Sequence, residues 1–575
     1  MNINIQFLKG VNAMRKRKPL LLIVSAVLLL TTVLAACSNS NTNNSQESPS
    51  PSSASATPGN TGGDTKPVSD TWVFGSEPLE FSLYFHYGWV DYKGMDDYPA
   101  TKWLKENKQL NITPIQANGS HSEKMTTMIS GNMLPDVIWG NRFDADIDRL
   151  YEAGQLVAFD EYLEKYPNLL KWAGKEKLDL LRSPDGKLYK FPNWYTNSST
   201  NTAGYAINKK IYRELGSPKL ETLDDLYAYL VKVKEKYGDQ VIPFETDRAE
   251  DGQGVAILYT AFKEGALYDS LGKQLLAVPN GDKLTSVFTD PTFRESQKFV
   301  NKLYREKLMT QDAFTQTDDM VLEKLMTGRV AVYASANVTD KANKAHLELS
   351  KTNPEDGYFV TWPFHKAGLD KNKIHPGGND RLGWNVAVIT KAAKDPEKIF
   401  AFLDWYTSPE GMNLQFFGPE GKNWKGFDEN GYPIFTEQAD PAEIAQIQTD
   451  NLDIMLVGNA AYIDPAKISF EKTLPEEKKN WQAKYQSEVT WPSGVDITEY
   501  KNLTPPADSE LGTTQQHVEN LFLQVFAETT QAKSEADIDK ILDQAEKDAQ
   551  SYGYNKLLEW RTEQWQEKRK ILGLE

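Results

Sequence analysis

The stretch LEFSLYF, Leu79–Phe85, sets Leu79, Phe81, Leu83 and Phe85 on alternate positions, with the more polar Glu80, Ser82 and Tyr84 between them. A period of two marks a β-strand with one face turned to a core. Downstream, the spacing predicts a helix over 99–109, a short strand over 111–116, a helix over 122–130 and a strand over 136–139. Strand, helix, strand, helix, strand with short connections is the unit of a parallel sheet covered by helices. Its ligand crevice is expected at the carboxyl ends of those strands. In ISGNMLPDVIW, Gly131 can end the helix and Pro135 fixes the turn, so that Asp136 to Trp139 enters the sheet and delivers the next residues to the crevice.

Helices then dominate. Thr222-Leu-Asp-Asp225 opens one that reaches Tyr237, and Pro291 at a first-turn position opens another that reaches Leu308. Strands are expected at 330–333, 358–362 and 384–389, with a helix from Pro396 through Trp405 and a final helical region over 535–572. The segment QTDNLDIMLVGNAAYI fits neither a helical nor a strand template, and no internal repeat is visible.

Composition narrows the class. The chain has 575 residues, 40% of them hydrophobic and 11% aromatic, and a net charge of −16. The body after residue 70 exceeds what one core normally serves, so two lobes or domains are expected. Residues 1–36 hold five basic residues and no acid, so their removal takes the charge from −16 to −21. Nucleic acid is excluded as a partner by that balance.

Cys37 is the only cysteine. Arg15, Lys16, Arg17 and Lys18 precede an apolar run over 20–33, which ends in Leu34-Ala35-Ala36-Cys37. That is the order of a secretory signal, and the run is short for a membrane span. The last four residues resemble a bacterial lipobox, which implies lipidation of the Cys37 thiol and cleavage before it; Met14, just ahead of the basic cluster, is a second candidate start beside Met1. Residues 37–70 are almost entirely Ser, Asn, Thr, Gly, Pro and Ala, the composition of a flexible tether. With Cys37 lipidated the body has no thiol, which removes disulfides, thiolate zinc sites and cysteine nucleophiles together.

Catalytic signatures are absent. There is no phosphate loop, no G-x-S-x-G elbow and no H-E-x-x-H helix, and the six histidines show no paired ligand spacing. DRAEDGQ, 247–253, sets carboxylates near a glycine without the D-x-[DN]-x-[DN]-G order of a calcium loop, so no metal and no cofactor are assigned.

Six segments carry a resemblance: MTTMISGNMLPDVIWG (125–140), LVAFDEYLEKYPNL (156–169), SPDGKLYKFPNW (183–194), TLDDLYAYLVKVKEKYGDQVIPF (222–244), LMTGRVAVY (325–333) and DPEKIFAFLDWYTSPEGMNLQFFGPEGKNW (395–424). With the lipobox, they resemble the sugar-type extracellular solute-binding lipoproteins that feed ABC importers, in particular the long forms of Gram-positive bacteria. The resemblance implies an α/β fold of the two-lobed, type II periplasmic-binding-protein kind that closes about a hinge. It implies a monomer held at the outer face of the cell membrane by lipid on Cys37, with an oligosaccharide or related solute and ABC permease subunits as partners. The expected organisation is a signal peptide over 1–36, a tether over 37–70 and a body over 71–575. One lobe is expected to hold roughly 71–195 with part of 335–425, the other 196–334 with 426–575.

Sugar recognition needs flat apolar faces against ring C–H surfaces, bordered by planar polar groups. Trp89, Trp139, Trp194 and Trp384 fall at expected strand ends or loops, and beside them sit Asn141, Arg142, Tyr195, Asn379, Asp380 and Arg381. These ten are the candidate ligand-binding residues. A packing tryptophan or a solvated loop charge is the competing reading for each. Two other functions fit the same anchor, tether and aromatic loops: a surface-anchored polysaccharide-degrading enzyme, and a receptor reporting ligand to a sensor kinase.

Overall fold

The computed structural model describes residues 71–574 apart from 89, 91, 118–119, 248–252, 273–274, 452–457, 476–477 and 507. The signal segment, Cys37, the tether and Trp89 lie outside the described residues.

The alternating stretch forms β1 (Leu79–Phe85), with Leu79, Phe81, Leu83 and Phe85 buried and Glu80 exposed. The helix Pro99–Lys108 leads to β2 (Leu110–Ile115), and the helix His121–Ser130 leads to β3 (Val137–Asn141). Both strands pair with β1 in parallel, as the pattern predicts. Asp136 ties the start of β3 to β1, because its Oδ2 accepts from the Ser82 N–H at 2.7 Å and the Ser82 hydroxyl at 2.6 Å. In chain order the later strands are β4 (Phe191–Asn193), β5 (Gly204–Asn208), β6 (Ile242–Thr246), the hairpin β7 (Val278–Asn280) and β8 (Lys283–Thr285), β9 (Val330–Ser335), β10 (Tyr358–Thr361), β11 (Gly378–Asn379) and β12 (Asn385–Ile389).

Two main sheets result, in the orders β2-β1-β3-β12-β4 and β10-β5-β9-β6. The first is parallel only in its β2, β1 and β3 half; β12 runs antiparallel to both β3 and β4. The cause is the route of the chain. After β4 it leaves to build the second sheet, and β12 re-enters the first sheet at the edge where β3 and β4 end, so Asn385 pairs with Asn141 on one side and Asn193 on the other. In the second sheet β5 starts where β9 ends, with Gly204 opposite Ser335.

Helices cover both faces of the first sheet. Val137 and Trp139 pack into one core with Phe85, Phe400 and Leu403, while Ile138, one residue out of phase, packs into another with Met125 and Ile147. This burial on both faces is typical of strands in parallel sheets. The helix Ala460–Thr473 packs beside Phe416 and Phe417 of the helix Pro409–Phe417, on the first sheet's side. Trp424 and Ile444 join the same cluster.

On the second sheet, the helix Leu223–Tyr237 starts with the expected reciprocal cap between Thr222 and Asp225. The helices Pro291–Arg305, Glu510–Gln531, Glu535–Ser551 and Tyr554–Ile571 form its outer layer. The final region is therefore two helices, broken at Gly553 with φ 93°. No helix among the described residues is long and apolar enough to cross a membrane.

Candidate functional site

The edge where β3 and β4 end and β12 begins faces the chain segments that cross between the two sheets. A cavity of about 520 Å³ lies there. From the first sheet it receives Asn141, Arg142, Trp194 and Trp384; from the crossings, Asn201, Gly378, Asn379 and Asp380; from the second sheet's side, Asp269, Ala336 and Lys501. A hollow of about 620 Å³ lies elsewhere, between Asp440, Glu471 and Trp491, and has no strand end on its wall.

Arg142 follows β3 directly and is almost wholly buried. Its Nη2 donates to the Asp380 carboxylate, its Nη1 donates to Asn502 Oδ1 at 3.1 Å, and its guanidinium lies 4.3 Å from the centre of the Phe143 ring. Burial lowers the Arg142 pKa despite the opposing pull of Asp380. The other Asp380 oxygen accepts from the Leu382 N–H at 2.7 Å, so the carboxylate is fixed on both sides. Lys501 pairs with Asp269 at 2.6 Å. Lys568, from the last helix, donates to the Lys501 carbonyl, and burial with Arg142 beside it lowers its ammonium to about 7. The charged side chains on the cavity wall are thus paired, Arg142 with Asp380 and Lys501 with Asp269, leaving planar hydrogen-bonding surfaces between them. Asn379 Oδ1 is buried and meets no hydrogen-bond donor among the described residues.

The two tryptophans at the cavity are held differently. Trp194 has φ 64°, a left-handed conformation costly for a non-glycine residue. It persists because the surroundings determine it: its N–H donates to the Gly458 carbonyl at 2.6 Å, its ring meets the edge of Phe416, and a side chain at Gly458 would strike the indole. Gly383, at φ 76°, passes so close to the Asn193 carbonyl that only glycine fits. That approach sets Trp384 at the rim, 44% exposed, with its ring 5.8 Å from the Tyr87 ring. An exposed indole beside a polar hollow offers a flat apolar face on which a ring can stack.

Six of the ten candidates therefore come together: Asn141, Arg142, Trp194, Asn379, Asp380 and Trp384. Three stand elsewhere. Trp139 is buried in the first-sheet core, edge-on to Phe85 and Tyr87, because its position in β3 points inward. Tyr195 is fully buried and shares a hydrogen bond of 2.7 Å with Thr407. Arg381 turns outward to an ion pair of 2.7 Å with Asp496. The sequence reading missed Asn201, Asp269 and Lys501. The polar run SSTNTAG after Trp194 was a signal for the first; the other two come from segments with no local mark.

Residues 93–413 match the family described as bacterial extracellular solute-binding protein. The chain is 23% identical over 315 residues to the melibiose/raffinose/stachyose-binding protein MelE of Bacillus subtilis (strain 168), a match spanning 52% of this chain and 64% of MelE. Among solved structures, the S. pneumoniae ABC-transporter substrate binding protein FusA in complex with kestose superposes with TM-score 0.65 at 19% identity, covering 86% of this chain and all of that one. The alginate-binding protein AlgQ2 superposes with TM-score 0.61 at 18% identity, covering 86% of this chain and 99% of its own. These likenesses show a common two-lobed fold.

Proposed function

The chain belongs to the bacterial extracellular solute-binding proteins, and from that premise we propose that it captures an oligosaccharide outside the cell and presents it to the permease of an ABC importer. The observation that carries this is the cavity at the meeting of the two sheets, where Trp384 and Trp194 accompany Asn141, Arg142, Asn379 and Asp380. Indoles supply flat faces for sugar rings, and planar amide, carboxylate and guanidinium groups supply donors and acceptors at fixed angles. MelE and AlgQ2 are named for the saccharides they bind and FusA is described in complex with kestose, which favours the same class here. The family is one of binding proteins, and no catalytic residue is assigned. Trp89 stays in the proposed set, Trp139 and Tyr195 support it from the core, and Arg381 stands at its rim.

In this reading the lobes are built on the two main sheets, 71–193 with 385–474 and 204–361 with 481–574, and the crossings are hinge strands that let them close on ligand. Titration with raffinose, kestose and alginate oligosaccharides tests it. At least one should bind, come back unshortened by chromatography, and reduce the radius of gyration measured by scattering. At 100 times its dissociation constant that sugar should stabilise the protein by about 2.7 kcal/mol. Steady release of shortened sugar by pure protein would establish the degrading-enzyme reading instead.

Lipid on Cys37, followed by the tether 38–70, holds this body at the membrane surface. Cys37→Ser should leave the protein unacylated and out of the membrane fraction, since a hydroxyl lacks the nucleophilic thiolate. Acylation and membrane retention equal to the parent's would refute the anchor.

A further inference from the structure

We infer that His86, Asp144 and Asp146 form a binding site for one divalent transition-metal ion of the zinc class, at the turn that delivers Asn141 and Arg142 to the cavity. His86 follows β1 and is 1% exposed. Its Nε2 lies 2.9 Å from Asp144 Oδ2 and 3.3 Å from Asp146 Oδ2, without the alignment of a hydrogen bond to either. One ring N–H can serve only one acceptor, so two carboxylates converging on one buried imidazole nitrogen leave an oxygen that no proton in the cluster meets. A cation among the three resolves this. The ligand atoms all lie within 4.8 Å of one another. Zinc bonds of about 2.0–2.2 Å in a tetrahedron place ligand atoms roughly 3.3 Å apart, close to the separations present.

The surroundings are those of a held ligand set. Asp144 caps the helix Ala145–Glu152, and its Oδ1 accepts from the Asp146 N–H at 2.9 Å, which leaves Oδ2 for the ion. Arg149 Nη2 binds Asp146 Oδ1 at 2.8 Å. On the far side of the imidazole, Tyr84 Oη lies 3.5 Å from His86 Nδ1 and donates to the His121 carbonyl at 2.8 Å. Outer-shell partners of this kind fix ring orientation in metal sites. The His121 ring packs 4.9 Å from the His86 ring, near enough to supply the fourth ligand with a side-chain rotation. An imidazole nitrogen with two or three further ligands disfavours calcium and magnesium, which take six or more oxygens, and suits zinc, cobalt or nickel. Asp144, partly exposed, gives the ion its way in.

The ion would pin the end of β1 to the β3 turn, where the Phe143 N–H donates to Asn141 Oδ1 at 2.9 Å and the Asp144 N–H to the Asn141 carbonyl at 3.1 Å. The test uses the mature chain without a polyhistidine tag, stripped with chelator and titrated calorimetrically with zinc, with calcium and magnesium as competitors. One equivalent of zinc should bind, and cobalt in its place should give visible d–d absorption. Asp144→Asn, which keeps the helix cap, should weaken zinc by at least the roughly 10–100-fold that loss of an outer-shell partner costs, and His86→Gln should abolish the cobalt spectrum. His517→Gln, on the exposed face of Glu510–Gln531, should change nothing. Should His86→Gln fail to fold, Asp144→Asn decides. Absence of zinc binding, binding that survives Asp144→Asn, or displacement of zinc by calcium would reduce the cluster to an ordinary buried ion pair and overturn the site.

Discussion

Arg142→Met should lower the unfolding free energy by about 3–5 kcal/mol, the cost of leaving a buried carboxylate without its cation. Asp380 is the residue left behind, with a side chain only 13% exposed and no lysine or arginine other than Arg142 in an ion pair with it among the described residues. The loss should exceed that of the hydrogen bonds alone, because a neutral pair contributes roughly 1 kcal/mol. Urea unfolding at unchanged slope gives the measurement. Arg142→Met combined with Asp380→Asn should recover most of the deficit, since the remaining amide carries no charge to desolvate. A single-variant loss below about 1 kcal/mol would mean that water reaches Asp380 and that the pair is surface-like. The position matters because Arg142 comes from the first sheet, Asp380 from a crossing, and Asn502 adjoins Leu503 of the second sheet's core. One side chain thereby joins all three parts of the cavity wall.

How much of this was legible depended on whether the information was local. The alternation in Leu79–Phe85, the cap at Thr222 and the prolines at 99, 291 and 396 are local, and the structure has the corresponding strand and helices within a few residues. The antiparallel return of β12 was not legible, because strand direction is set by a partner some 240 residues away, and an apolar run reads the same in either sense. The helix Glu510–Gln531 was not legible because its buried face mixes Thr514, Thr529 and Thr530 with Val518, Phe522, Val525 and Phe526, a stripe that becomes evident only once the helix Pro291–Arg305 lies against it. The candidate site divided on the same principle. Loop position brought Trp194 and Trp384 into the set correctly as cavity residues, whereas Trp139 sits one residue pair before the strand end, where period-two geometry still turns a side chain inward. Lys501 and Asp269 are 232 residues apart, and nothing in either neighbourhood announces the other.

The exposed Trp384 allows binding to be tested apart from folding. Trp384→Ala should weaken the proposed oligosaccharide by about 2 kcal/mol or more, roughly 30-fold, as expected where a sugar ring stacks on the indole and covers it on binding. Its folding cost should be well below that of a core tryptophan, because a residue 44% exposed in the free protein has less buried area to lose. Trp139→Ala supplies the contrast. That indole is 2% exposed, so its removal should cost about 3–5 kcal/mol of folding free energy and affect ligand only through the damaged sheet. Affinity by calorimetry and melting temperature, measured on both variants, separate the two roles: one should bind poorly while melting with the parent, the other should melt early. If Trp384→Ala kept its affinity within about threefold of the parent for every sugar the parent binds, the rim indole would be a bystander. Recognition would then rest on Trp194, whose left-handed backbone and contact with Gly458 already bind it to the wall of the same cavity.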